Sequence, residues 1–172
     1  MAVKAVWGAA TDNAAIPFPD AAMSPTRPLP PHHKHCDDLF AAAEAAVNEH
    51  RWADGNAAHD RFQAEMLAHF ATEEDVLFPA FEAASGMTGG PTQMMRFEHA
   101  QMRALLGALA TTVAAGDGDG FGGTAETLLI LMQQHNMKEE NILYPMCDRA
   151  LAGCDLPIEE ELRTRAAGAC RN

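Results

Sequence analysis

The stretch from His69 to Pro79, HFATEEDVLFP, returns from His135 to Pro145 as HNMKEENILYP, 66 residues later. In both copies a histidine is followed four and five residues on by Glu-Glu, then by an aliphatic pair, an aromatic residue and proline. In a helix, residues i and i+4 lie one turn apart on the same face, so His69 and Glu73 point the same way, as do His135 and Glu139. Their neighbours in helical phase are apolar: Phe62, Met66 and Leu77 around the first pair, Leu128, Leu131, Met132 and Ile142 around the second. Both pairs are therefore expected to face a core. A buried carboxylate beside an imidazole is expensive to desolvate unless something compensates its charge, and a metal ion does so most simply.

The rest of the chain reads as helices that could carry these pairs. At 172 residues it suits one domain. An apolar fraction of 48% with only 6% aromatic residues rests on Ala, Leu and Met, good helix formers, and predicts an all-α fold. Residues 1–31 hold prolines at 17, 19, 25, 28, 30 and 31 and read as an extended N-terminal arm, packed on the body through Trp7, Ile16 and Phe18. Apolar spacing predicts a first helix from Pro31 to about Arg51, with Leu39, Ala42, Ala43, Ala46 and Val47 inward. Further helices follow from about Asn56 to Ala84, Pro91 to Ala115 and Thr124 to Leu151, separated by WADGN, SGMTGG and the Gly-rich GDGDGFGG. Pro79 is expected to bend the second helix or tighten its end. Four long helices with short loops predict an antiparallel up-down-up-down four-helix bundle over residues 32–152, then a tail, 153–172, with a short helix behind Pro157.

Two more histidines extend the set. His99 is flanked in phase by Met95, Met102 and Leu106, and His35 by Leu39 and Ala42, so each helix offers one inward histidine; a shift in the start of the first helix would put His32 or His33 in the place of His35. Height along the bundle is a separate check, since each residue rises about 1.5 Å. His35 and the His69–Glu73 pair stand about 13 to 17 residues from the turn joining their helices, and His99 and the His135–Glu139 pair about 11 to 16 from theirs. The middle connection matches less well, about 11 to 15 residues against about 8. Six donors, His35, His69, Glu73, His99, His135 and Glu139, exceed a closed tetrahedral zinc site and suit two metals bridged by the carboxylates. Mixed imidazole and carboxylate ligands with open positions favour iron or manganese, and iron where oxygen chemistry is involved. The Glu-x-x-His spacing of ferritin-like di-iron bundles is absent around these histidines.

Over residues 31–150 the chain resembles the hemerythrin-like, HHE cation-binding family, the doubled His-x-x-x-Glu-Glu stretch with its aromatic-Pro ending being the most specific part of the match. The resemblance implies a four-helix bundle around a non-haem di-iron centre, two iron ions with an oxo or hydroxo bridge, with Mn or Zn as substitutes. Glu73 and Glu139 would then bridge, and His35, His69, His99 and His135 would be terminal ligands. Oxygen-carrying hemerythrins place a second histidine four residues after the one on helix three, where this chain has Arg103. That leaves a coordination position to water or to an unassigned donor. The reduced set looks more like the family branch concerned with iron sensing and with repair of iron–sulfur centres, although the Cys-containing segment of the repair proteins is not seen here. The implied function is binding or sensing of oxygen, nitric oxide or peroxide, or iron handling, rather than dedicated catalysis. The alternative is a redox enzyme using the same centre for peroxide or nitric oxide reduction or ferrous oxidation.

Other features narrow the partners. Twelve Lys and Arg against 24 Asp and Glu give a formal charge of −12, and no basic stripe is available to track nucleic acid. No apolar run approaches the roughly 20 residues needed to span a bilayer. Cys36, Cys147, Cys154 and Cys170 form no CxxC pair and the opening residues lack the apolar core of a signal peptide, so a cytoplasmic protein with free thiols is expected, its oligomeric state left open. Glu74 and Glu140, about 100° around the helix from their neighbours, are expected to face solvent or to support the ligands by hydrogen bonds. His50 and His59 are expected at the surface, Cys36 as a small buried residue, Phe78 and Tyr144 as packing, and Met94, Met95, Met102 and Met132 as core filling.

Overall fold

The structure, a computed structural model, describes residues 24–169. Most of the arm expected over residues 1–31 therefore lies outside the described residues, as do Trp7, Ile16, Phe18 and Cys170. What is described is helical, with no strand among the described residues, and none of its helices is long and apolar enough to cross a membrane.

The first helix starts inside the expected arm. α1 (Leu29–Asn48) carries Pro30 and Pro31 in its first turn, where a missing N–H removes no intrahelical bond and the fixed φ suits the helix. Its buried stripe is Leu29, His33, Cys36, Phe40, Ala43 and Val47, whereas Ala42, expected inward, is exposed. α1 ends just before His50, which takes a left-handed φ of 55°. α2 (Trp52–Thr72) starts within the WADGN stretch rather than after it. A Cβ at position 55 would stand 3.1 Å from Val47 Cγ2, so Gly55 is what lets α2 approach α1 this closely.

α2 continues directly into a π turn, Glu73–Leu77, and then α3 (Phe78–Ser85). Pro79 accounts for the change. It has no N–H for the carbonyl of Asp75 and its ring crowds that carbonyl, so the chain widens by a residue and Phe78 N–H donates to Glu73 O, five residues back. After α4 (Pro91–Ala115), α5 (Gly118–Lys138) begins earlier than the expected Thr124, because the Asp117 carboxylate accepts Gly120 N–H at 2.9 Å and caps the helix. α5 repeats the widening: a π turn, Glu139–Leu143, leads into α6 (Tyr144–Ala150), with Tyr144 N–H on Glu139 O ahead of Pro145. Proline thus loosens these helices rather than tightening them. The added residue also shifts the helical phase, so that Ile142, expected inward, is exposed and Leu143 is buried.

α7 (Ile158–Ala169) buries Ile158, Leu162 and Ala166 and packs on α2, while Arg165 donates to Asp75 Oδ2 at 2.8 Å. α1 also packs on α2 and on α5, and α4 on α2 and on α5. Two apolar clusters fill the interior, one containing Phe40, Phe62, Met66, Met102, Leu106 and Leu128, the other Leu29, Leu77, Phe81, Met95, Leu143 and Leu162. Each of the four long helical stretches passes from one cluster to the other, with its histidine at the crossing. Moving along the chain, α1 runs from Leu29 through His33 to Phe40, and α2 and its π turn from Met66 through His69 to Leu77. α4 then runs from Met95 through His99 to Met102, and α5 and its π turn from Met132 through His135 to Leu143. His59, expected at the surface, is buried against Phe62 because it lies on the same inner stripe of α2 one turn earlier. Met94, expected in the core, is exposed, while Met95, Met102 and Met132 are buried.

Candidate metal centre

Between the two apolar clusters lies a buried layer of His33, His69, Glu73, His99, His135 and Glu139, none more than 6% exposed. The imidazoles meet in pairs: His33 Nε2 lies 3.1 Å from His69 Nε2, and His99 Nε2 lies 3.1 Å from His135 Nε2. Each carboxylate joins one pair to the other. Glu73 Oε2 is 3.4 Å from His69 Nε2 and 3.3 Å from His99 Nε2, while Glu139 reaches His135 Nε2 with Oε1 at 3.1 Å and His33 Nε2 with Oε2 at 3.2 Å. Two groups of donors are close enough to hold a cation, Glu73, His99, His135 and Glu139 in one and His33, His69 and Glu139 in the other.

The outward nitrogens decide what the inward ones can do. Nδ1–H of His33 donates to Glu140 Oε1 at 2.7 Å, that of His99 to Glu74 Oε1 at 2.8 Å, and that of His135 to Glu98 Oε2 at 3.0 Å. A carboxylate can only accept, so these contacts place each ring's proton on Nδ1 and leave a lone pair on Nε2. His69 reaches the same state through a relay: His32 Nε2–H donates to Glu65 Oε2 at 3.1 Å, leaving His32 Nδ1 to accept from His69 Nδ1–H at 3.2 Å. Arg103 forks onto Glu74 with two bonds of 2.9 Å, and Lys138 donates to Glu98.

Four inward lone pairs and two carboxylates make a site rich in acceptors. Glu73 Oε2 and Glu139 Oε1 are buried without a hydrogen-bond donor. Among the described residues the hydroxyl that reaches them is that of Tyr144, 2.7 Å from Glu73 Oε1, 3.0 Å from Glu139 Oε2 and 3.2 Å from His33 Nε2, and its single proton serves one of them at a time. Leaving such carboxylates uncompensated costs several kcal/mol each. Cations at the two groups of Nε2 and Oε atoms would compensate them, so this chain's own donors fit a metal. Without one, the layer holds protons instead. Burial acts against charge on His99, but the carboxylates of Glu73 and Glu74 beside it outweigh it and raise the imidazole to about 9. Burial pushes Glu73 up, with the neighbouring Glu139 adding to the effect. Burial likewise opposes ionisation of Glu139, yet His135 and His33 hold that carboxyl well below the usual range.

The structure brings together five of the six residues read from the sequence: His69, Glu73, His99, His135 and Glu139. His35 is corrected. Its side chain is 52% exposed and its Nε2 lies 3.8 Å from Glu65 Oε1, outside the layer. His33 takes the place on α1, because the buried stripe of that helix is Leu29, His33, Cys36, Phe40 and Val47 rather than Leu39 and Ala42, and a residue two positions on from His33 falls on the opposite face. A signal for this was present: His33 precedes His99 by the same 66 residues that separate His69 from His135. The offset also relates Glu74 to Glu140, His32 to Glu98 and Phe78 to Tyr144. Glu98, not singled out from the sequence, and His32, read there only as a substitute for His35, orient His135 and His69. Tyr144 stacks on His33 as packing would require, with ring centroids 5.8 Å apart, and also supplies the hydroxyl; Phe78 stacks on His99 at 5.9 Å.

The sequence pattern of the hemerythrin HHE cation binding domain matches residues 24–147. Comparison with curated proteins and with solved structures gave no match. The matched span holds all four inward histidines, both shared carboxylates and the residues that orient them, and the chain is a member of the hemerythrin HHE cation-binding family.

Proposed function

We propose that the protein is a non-haem di-iron protein, hemerythrin-like, that binds or senses oxygen, nitric oxide or peroxide or handles iron. In this reading its helices form an antiparallel up-down-up-down bundle, supported by the alternating order in which α1, α2, α4 and α5 run between the two apolar clusters. His33 and His69 would hold one iron and His99 and His135 the other, and Glu73 and Glu139 are the carboxylates that both would share. The observation that carries this is that each carboxylate stands within 3.4 Å of an imidazole from both pairs. Among the described residues the thiols of Cys36, Cys147 and Cys154 form no disulfide with one another, which accords with a reducing compartment, here taken as the cytoplasm.

When bound, the iron pair supplies redox-active centres with positions open to a small ligand. The chain's own residues do the rest. The Nδ1–carboxylate bonds lock the rings of His33, His99 and His135 in orientation and raise the basicity of their Nε2 atoms. Phe70 stacks on His99 at 4.2 Å and helps close the layer to water. Tyr144 holds a hydroxyl proton beside Glu73, Glu139 and His33, and a proton donor at this place favours a second reading, a redox enzyme for peroxide or nitric oxide reduction or ferrous oxidation.

Elemental analysis with an absorption spectrum, on protein purified in air and on a His69→Ala, His135→Ala double variant, tests the reading. The expected result is about two irons per chain, with charge-transfer bands lost in the variant. Absence of metal after anaerobic ferrous loading, in protein of unchanged helicity, would overturn it. Steady consumption of peroxide by the loaded protein would select the second reading.

A further inference from the structure

Large apolar side chains that stand exposed among the described residues gather on one side of the molecule. Met94 and Phe97 lie on α4, Ile130 and Met137 on α5, and Ile142 in the π turn that follows, each at least half exposed, while Met87 belongs to the loop before α4. Glu98 bonds to His135 and Lys138 across the contact between α4 and α5, which sets Phe97 level with Met137. In helical phase Met94 and Phe97 follow the outer side of Glu98, and Ile130 and Met137, two turns apart, follow the outer side of Lys138. The five residues therefore flank one groove. They leave on the order of 500 Å² of apolar surface, near the upper end of the largest patch found on a typical monomer.

The 66-residue repeat shows what a covered version of this face looks like. On the other half α7 packs on α2, leaving beside α1 a cavity of about 730 Å³ whose wall includes His32, Glu65, Leu162 and Ala166. The residues of α2 and its π turn that correspond to Ile130, Met137 and Ile142 are Ala64, Ala71 and Val76, all smaller and all buried or half-buried. Small residues admit a helix at close range, whereas the α5 side carries large apolar groups and has no helix over it among the described residues. The anchor is missing too. Asp75, which accepts from Arg165 of α7, corresponds to Asn141, so the α5 side has no carboxylate with which to tie down a charged helix of the α7 kind.

Charge identifies the occupant. The chain carries a formal charge of −12, so two copies repel one another over most of their surface. Along α5 from Thr127 to Met137 the one ionisable residue is the buried His135, and on α4 the outward Met94, Phe97, Gln101 and Leu105 are uncharged. Glu98 and Lys138, between the two stripes, pair with each other. A cationic partner would be met by carboxylates, which this face lacks, whereas a second copy of an acidic chain can approach only where like charges are absent. We propose that the α4–α5 face is an interface between two copies of this chain, related by a two-fold axis, with α4 and α5 of each copy covering those of the other. The apolar patch and the neutral side chains between its members approach the roughly 800 Å² per partner of a stable interface.

Sedimentation equilibrium of the full chain tests the interface. The expected result is a dimer that is half dissociated at or below about 10 μM. Added salt should tighten it several-fold, because the repulsion between like-charged copies is screened. The double variant Phe97→Glu, Met137→Glu should be monomeric with unchanged helicity, since both positions are exposed, and Phe97→Lys, Met137→Lys should be monomeric as well. An equal mixture of the two should dimerise again, because every contact among these positions then sets Glu against Lys. Met87→Glu, outside the face, should associate as wild type does. A wild type that stays monomeric at about 100 μM would overturn the proposal, the face then being covered by residues 1–23 or by another protein. Dimers that persist in the double Glu variant, or that weaken as salt rises, would place the contact elsewhere and overturn it equally.

Discussion

On the His99 and His135 side of the polar layer, the carboxylates behind the imidazoles are themselves held by cations, Glu74 by the fork of Arg103 and Glu98 by Lys138. On the His33 and His69 side, Glu140 is 41% exposed and the residue 66 positions before Arg103 is Asp37, which cannot brace a carboxylate. His69 there leans on the imidazole of His32 rather than on a charged group. One repeat thus supplies matching ligands to both pairs but unequal support. The His99 side is charged and cross-tied, and the His33 side is more open to water and borders the cavity. Ligand identity and ligand rigidity are therefore specified by different residues, which a motif search for the ligands alone would not separate.

Removing the supporting carboxylates puts that difference to its largest test. Glu74→Ala frees both His99 and Arg103, and is expected to weaken metal binding about 100-fold, near the top of the range for groups that orient a metal ligand. Glu140→Ala should cost only about 10-fold, since water can replace an exposed carboxylate behind His33. Competition against a chelator measures both, and equal losses would mean that the two sides are equally stiff. A smaller effect is expected of Tyr144→Phe, which makes the two sides alike by giving each a phenylalanine. Metal-free protein should lose about 1–3 kcal/mol in urea unfolding, because buried carboxylate oxygens lose their donor, and metal-loaded protein should lose less.

The smallest effect is in acid. Burial acts to raise the Glu74 carboxyl, but bonds from His99 and Arg103 outweigh it and lower it to about 2. A carboxyl depressed on folding stabilises the protein at pH values above its ordinary range, and that contribution fades as the pH falls through the folded value. In Arg103→Ala the fade should move upward, toward the ordinary value of 4.5, so that the metal-free variant loses helicity at a higher pH than wild type. Acid titration followed by circular dichroism reads the shift, and coincident curves would show that Arg103 adds nothing to the charge balance of its side.

How much of this was legible from residues alone depended on what carried the information. The paired His-x-x-x-Glu stretches were readable because helical periodicity acts within a single turn and needs no knowledge of neighbours. On α1 the residues offer two stripes, Leu39 with Ala42 and Cys36 with Phe40, and His35 lies on the first and His33 on the second; packing against the other helices buries the second, which periodicity within one helix does not encode. The early starts of α2 and α5 were hidden by WADGN and GDGDGFGG, which read as breaks, although Gly55 serves close packing and Asp117 serves as a cap. The partners of the outward nitrogens, Glu98 and His32 among them, depend on contacts across helices that periodicity does not encode.

The supporting carboxylates cross between the copies of the repeat: Glu74 follows His69 but serves His99, and Glu140 follows His135 but serves His33. Neither α1 with α2 nor α4 with α5 can therefore orient its own full set of rings. In folding terms the layer is a late assembly that closes chain separations as long as the 107 residues between His33 and Glu140, after local helix formation and pairing are complete. A chain stalled with only one helix pair formed would expose histidines without their orienting partners. Metal capture at full affinity would then report that both pairs have docked, making it a readout of complete folding rather than its template.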